Sequence, residues 1–222
     1  MANAGTARAA RGEPGGYELL DAGDGRRLER FGRRVVDRPA PAALEARRDF
    51  HAWRASDLRF DPGRGWTAAG KPVEPAGDEP WVLVVDGLRL ELRPTDSGGL
   101  GLYPEHAANL AWVADRVRER VAARSATGEA RDAGSVDPPA VLHLFAHTGL
   151  LTLAAARAGA AVAHVDAARG AVEWARRNAA LSGLEDRPVR WLVDDAAAFV
   201  AREARRGRRY DGIVLDPPSF GR

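Results

Sequence analysis

Hydrophobic and polar positions obey two different rhythms along this chain, and the change falls near residue 140. From Val141 onward, short apolar runs alternate with amphipathic stretches. Val141 to Phe145, Ala161 to Val165, Val189 to Val193 and Tyr210 to Leu215 are predominantly apolar runs, the pattern of strands buried on both faces. Helices are predicted between them over Leu150 to Ala158, Arg169 to Ser182 and Ala196 to Arg206. Gly159, Gly183 and Gly207 stand at their ends, where glycine closes a helix without steric cost. Strand–helix alternation predicts a parallel sheet covered by helices. Right-handed crossovers then bring the carboxyl ends of all the strands to one edge.

Before residue 140 the pattern is shorter-ranged. Tyr17 to Leu20 and Arg26 to Phe31, around Asp21-Ala22-Gly23-Asp24-Gly25, read as a hairpin. Pro39 and Pro41 break the chain, and Leu44 to Trp53 is expected to be a short helix. Frequent Gly and Pro from Gly63 to Gly77 leave room only for short strands. Trp81 to Val85 and Leu88 to Leu92 flank Asp86-Gly87, the signature of a type I′ hairpin. Pro94 to Pro104 is a glycine-rich connector. Glu105 opens a helix to about Ala123 with Leu110, Val113, Val117 and Val121 on one face, and Ser125 to Pro139 reads as a loop. The expected organisation is a disordered leader over 1–16, a small β-rich domain over 17–104 and an α/β domain over 105–222. Trp53, Trp66 and Trp81 fit a core better than base stacking.

Composition narrows the chemistry. The 222 residues contain no cysteine, which excludes disulfides, thiolate metal sites and a cysteine nucleophile within this chain. No run approaches the ~18 apolar residues of a membrane helix. Met1 to Gly16 lacks the apolar centre of a signal peptide, so the expected setting is cytoplasmic with no membrane partner. Net charge is +2, too small to imply nucleic acid by itself, although Lys71 is the only lysine among otherwise arginine cations. No metal-ligating set is picked out.

The candidate chemistry lies at the strand ends. The first run leads into Phe145-Ala146-His147-Thr148-Gly149, the second ends at Asp166, the third at Asp194-Asp195-Ala196 and the fourth at Asp216-Pro217-Pro218-Ser219-Phe220. Gly149 permits close approach to the backbone, and Thr148 is placed to cap the next helix. Asp166 suits the hydroxyls of a ribose, and Asp195 an adenine amino group. The full G-x-G-x-x-G of a dinucleotide site is absent, which favours S-adenosylmethionine, a nucleoside without phosphate, over a nicotinamide cofactor. Capping residues alone would also account for Thr148, Asp194 and Asp195. The two prolines hold the Asp216 loop stiff beside a flat ring at Phe220.

With these motifs in place, residues 141–222 resemble the first half of a class I S-adenosylmethionine-dependent methyltransferase domain. The variant resembled is that of the bacterial ribosomal RNA base methyltransferases, with F-x-x-T-G after the first strand and D-P-P-x-F after the fourth. Residues 17–104 resemble the small β-rich domain preceding it, and Leu102-Tyr103-Pro104-Glu105-His106 resembles the junction. The resemblance implies an α/β, Rossmann-like fold and methyl transfer to a base in RNA, with ribosomal RNA as the expected partner. It implies that Phe145, His147, Thr148 and Gly149 meet the cofactor's methionine end, that Asp166 holds the ribose, and that Asp195 and Ala196 hold the adenine. Asp216, Pro217, Pro218 and Phe220 would hold the target base, His147 having no acid–base role and Asn178 being structural. Cytosine carbon-5 chemistry, which needs a cysteine, is not expected of these residues. Three further strands are implied beyond Arg222, so the expectation is a piece of a longer protein, or a sheet completed by a partner or a second copy. Other expectations are a methyltransferase of protein or small-molecule substrates, or a cofactor-binding fragment without activity.

Overall fold

The computed structural model describes residues 16–74, 80–127, 130–131 and 135–218. The chain divides into two compact units, Met1–Val85 with Leu92–Leu100, and Asp86–Glu91 with Gly101–Arg222. The leader expected over 1–16 lies, but for Gly16, outside the described residues.

The first unit is built on a six-stranded sheet in sequential order: β1 (Tyr17–Gly23), β2 (Arg26–Phe31), β3 (Arg34–Pro39), β4 (Leu58–Asp61), β5 (Gly65–Ala68) and β6 (Lys71–Val73). Neighbours run antiparallel except β3 and β4, which are parallel. Strand β3 departs from expectation, and its cause is an ion network inside the unit. Glu29, Asp37 and Arg38 are buried. Arg38 Nε donates to Glu29 Oε2 at 2.8 Å, and Arg26 Nε to Asp37 Oδ1 at 2.5 Å. Paired charges at buried positions hide the strand from any hydrophobic pattern.

The helix expected over Leu44 to Trp53 is also shorter, with only α1 (Phe50–Arg54) forming. Carbonyls of Ala43 and Glu45 accept instead from Gly25 and Asp24 amides of the β1–β2 turn. The crossing is close: a Cβ on Gly23 would lie 2.6 Å from the Arg47 nitrogen. Asp49 then caps α1, accepting from the His51 and Ala52 amides. Trp53, Trp66 and Trp81 are buried, as a core reading expects. Each indole N–H has an acceptor: Asp21 Oδ2 at 2.8 Å, the Thr95 carbonyl at 2.7 Å and the Phe31 carbonyl at 3.1 Å.

The division between units falls in the expected hairpin of β7 (Trp81–Val85) and β8 (Leu88–Leu92). Asp86 and Gly87 take φ of 48° and 73°, as a type I′ turn requires. In the second unit a 3₁₀ turn (Pro104–Asn109) precedes α2 (Leu110–Thr127). The segment expected as a loop carries a two-residue ladder, β9 (Ala130–Arg131) with β10 (Ser135–Val136).

The α/β pattern then appears in full: β11 (Ala140–Leu144), α3 (Leu150–Arg157), β12 (Ala161–Asp166), α4 (Arg169–Leu181), β13 (Val189–Val193), α5 (Ala196–Arg205) and β14 (Gly212–Leu215). The sheet order is β13-β12-β11-β14, with every pair parallel. The helix-covered parallel sheet expected from the alternation, and the Rossmann-like class implied by the resemblance, are therefore the ones observed. Leu142, Leu144, Ala163, Val165 and Phe199 form one core cluster, against which Leu192, Ala196 and Tyr210 pack. Helix α3 buries every residue from Leu150 to Ala156. Asp211 clamps the start of β14, accepting from the Ala140 amide at 2.8 Å and from Arg120 and Arg124 of α2. Among the described residues no helix is long and apolar enough to cross a membrane.

Candidate active site at the strand ends

The strand order fixes where a ligand site belongs. From β11 the chain winds outward to β12 and β13, then returns to the other side of β11 as β14. The loops after β11 and β14 therefore leave in opposite directions, which opens a crevice at the carboxyl end of the sheet. A cleft occupies that place. It is lined by Phe145, His147, Thr148 and Gly149 after β11, by Asp216 after β14, and by Tyr103 and His106 from the segment before α2.

The loop after β11 is locally strained. Phe145 and His147 have positive φ, at 53° and 48°, as does Gly149 at 89°. Left-handed backbone at a non-glycine residue costs free energy and persists only where neighbours enforce it. Here Asp166 does so. Its Oδ2 accepts from the His147 amide and its Oδ1 from the Ala168 amide, both at 2.8 Å. One carboxylate thus ties the first loop to the turn entering α4, and each oxygen retains a further lone pair.

Thr148 departs from its expected role. Gly149, not Thr148, occupies the cap position of α3, and no side chain caps it. The buried Thr148 hydroxyl donates to the Gly101 carbonyl at 2.6 Å. Gly101 is held so tightly that a Cβ there would lie 2.2 Å from the Trp174 ring. Asn178, also buried, donates to the Thr148 carbonyl at 2.9 Å and accepts from the Glu91 amide at 2.8 Å. The His147 ring packs on Tyr103, with centroids 4.9 Å apart, and burial pushes its pKa below the ordinary value.

Asp195 and Ala196, at the end of β13, do not line this cleft, and neither does Asp166 at the end of β12. Asp195 caps α5, its Oδ1 accepting from the Ala198 amide at 2.8 Å. Asp194 pairs with Arg202. Asp216 reaches solvent, with Pro217 and Pro218 exposed after it. Phe220 lies outside the described residues.

Two features escape sequence reasoning. Asp216 Oδ2 lies 2.8 Å from His106 Nε2, although 110 residues separate them. Only the Tyr-Pro-Glu-His junction hinted at His106, and nothing local announced its partner. The second feature is a buried chain of polar groups beneath the cleft. His143 Nδ1 and His164 Nδ1 flank the Thr152 hydroxyl at 2.7 and 2.9 Å. The parallel register sets His143 of β11 directly beside His164 of β12. Burial pushes His143 down to about 3 and His164 to about 4, so both are neutral at pH 7.

Comparison with known proteins gives this geometry its class. A solved S-adenosylmethionine-dependent methyltransferase from Agrobacterium tumefaciens is 36% identical, with a TM-score of 0.79 over 94% of this chain and 62% of that one. A solved chain from Streptococcus mutans, described as a putative methyltransferase of the same kind, shares the fold at 17% identity, with a TM-score of 0.70 over 94% of this chain and 54% of its own. The fold is that of the class I S-adenosylmethionine-dependent methyltransferases. The chain belongs to the family described as Conserved hypothetical protein 95, whose model matches residues 107–220. It is also similar to ribosomal RNA large subunit methyltransferase I of Shewanella denitrificans, at 30% identity over 64% of this chain and 31% of that protein. Ribosomal RNA large subunit methyltransferase K of Neisseria meningitidis is 39% identical over 36% of this chain and 23% of its own length. The chain thus spans about a third or less of these curated relatives.

Proposed function

We propose that the carboxyl ends of β11, β12, β13 and β14, with the cleft between the first and the last, bind S-adenosylmethionine and present its methyl group to a base of RNA, with ribosomal RNA as the substrate and the cytoplasm as the setting. The observation that carries this reading is the cleft at the β11–β14 divergence, walled on one side by the strained Phe145–Gly149 loop and on the other by Asp216. The likeness to the Agrobacterium methyltransferase and to the two ribosomal RNA methyltransferases supports it.

The residues present fit such a cofactor. Asp166 keeps lone pairs on both carboxylate oxygens while its backbone bonds fix it, which suits a vicinal diol. Phe145, His147, Thr148 and Gly149 form the wall for the methionine end. The exposed edge of Asp195, with Ala196, takes the adenine. When bound, the cofactor supplies an electrophilic methyl on a sulfonium. This chain supplies position and a cradle for the approach of a base. Asp216 accepts an N–H from the target base, and His106 holds that carboxylate in place at 2.8 Å. Pro217 and Pro218 stiffen its loop, and Phe220 stacks on the base.

Calorimetry with S-adenosylmethionine tests this reading without requiring turnover. Asp166→Ala removes the ribose acceptor and the clamp on the His147 amide, so affinity is expected to fall by about a hundredfold while circular dichroism still reports a folded chain. Equal affinity in wild type and variant would remove Asp166 from the site.

A further inference from the structure

The first unit carries a pocket of about 370 Å³, within the range of small-ligand sites, that the strand-end reading does not use. Its floor includes the buried Trp53, on whose face the Arg47 guanidinium stacks at 4.2 Å. Its rim carries Phe50, Arg54 and Arg59. Phe50 is 63% exposed, an unusual position for a phenyl ring one turn from a well-buried tryptophan. Arg54 is exposed and makes no ion pair among the described residues. Arg59 is half-exposed and already oriented by Asp61 at 2.8 Å. The acid in the lining, Asp37, is neutralised by Arg26 at 2.5 Å and faces Arg59 at 3.4 Å.

We propose that this pocket holds a segment of single-stranded RNA, with a base against Phe50 and backbone phosphates on Arg54 and Arg59. Flat rings beside guanidinium forks match both halves of a nucleotide: stacking takes the base whatever its identity, and the planar fork takes phosphate. A concave pocket, rather than a long flat basic face, accommodates an unpaired nucleotide that has left its stack. An acidic peptide would satisfy the arginines and leave Phe50 without a stacking partner, so the ring favours RNA. The proposal rests on RNA being the substrate, and assigns part of its grip to this unit.

Fluorescence anisotropy with a short fluorescein-labelled single-stranded RNA provides the test. Phe50→Ala and Arg54→Glu are each expected to weaken binding by about tenfold, and Arg54→Glu to flatten the slope of log K against log salt by about 0.7. Phe50→Leu, which keeps apolar bulk without the ring, is expected to behave as Phe50→Ala. Arg33→Glu makes the same charge change at an exposed residue of the β2–β3 turn, outside the pocket, and is expected to stay within about twofold of wild type. Wild-type affinity in the Phe50 and Arg54 variants, no binding of RNA by wild type, or equally effective competition by polyglutamate would each overturn the proposal. Calorimetry with S-adenosylmethionine on the same variants separates this outcome from the strand-end reading, which requires their cofactor affinity to be unchanged.

Discussion

Strands β12 and β14 flank β11, yet the acids at their carboxyl ends are held in opposite ways. Asp166 is half-buried and accepts from two backbone amides, in two different loops. Asp216 is 69% exposed in its side chain and meets one imidazole. Backbone donors cannot turn away, so the β12 side is a fixed surface whose shape exists before any ligand arrives. A side chain held by another side chain keeps its freedom. That difference suits a cofactor seat on one side and adjustable contact with a large substrate on the other.

The largest effect expected from this contrast is on acid stability. His143 and His164 are neutral when folded, with values near 3 and 4, against an ordinary value of 6.5. Below about pH 6.5 the unfolded chain binds protons that the folded chain refuses. Stability is therefore fully present above that pH and falls as pH drops toward the folded values, by up to about 1.4 kcal/mol per pH unit for each imidazole. Urea denaturation in steps from pH 7 to pH 4 is expected to show this slope, and the double variant His143→Gln, His164→Gln to flatten it. An unchanged slope in the double variant would place the acid sensitivity elsewhere.

Thr152→Val comes next. It leaves two buried imidazoles without the hydroxyl between them and is expected to cost about 1–3 kcal/mol at neutral pH. A loss under about 0.5 kcal/mol would mean that these rings find other partners. The smallest effect belongs to the β14 side. Asp216→Asn keeps the shape and touches an exposed pair, so unfolding free energy is expected to change by less than about 0.5 kcal/mol. Cofactor affinity should hold within about twofold. A large loss of either would erase the contrast between the two acids.

The sequence makes the β11–β14 unit legible because its signals are local. Apolar runs of strand length, glycines after helices and an acid at three of the four strand ends need no knowledge of distant residues. Asp166 and Gly149 can be picked out in that way. The Thr148 hydroxyl cannot, because its acceptor is a carbonyl 47 residues earlier. Nor can the His106–Asp216 pair, or the alignment of His143 with His164, which depends on the register between strands. Strand β3 is concealed for a different reason. Its buried positions include Asp37 and Arg38, and a pattern search reads charge as solvent even where ion pairs hold it inside.

Titration of S-adenosylhomocysteine, the product form of the proposed cofactor, into ¹⁵N-labelled protein, followed at the backbone amides, tests the strand-end site most directly. Saturable shifts are expected at His147 and Ala168, whose N–H groups bond Asp166, and at Ala196, with Ile213 unmoved. Shifts confined to other residues, or none at concentrations that saturate an established methyltransferase, would contradict it.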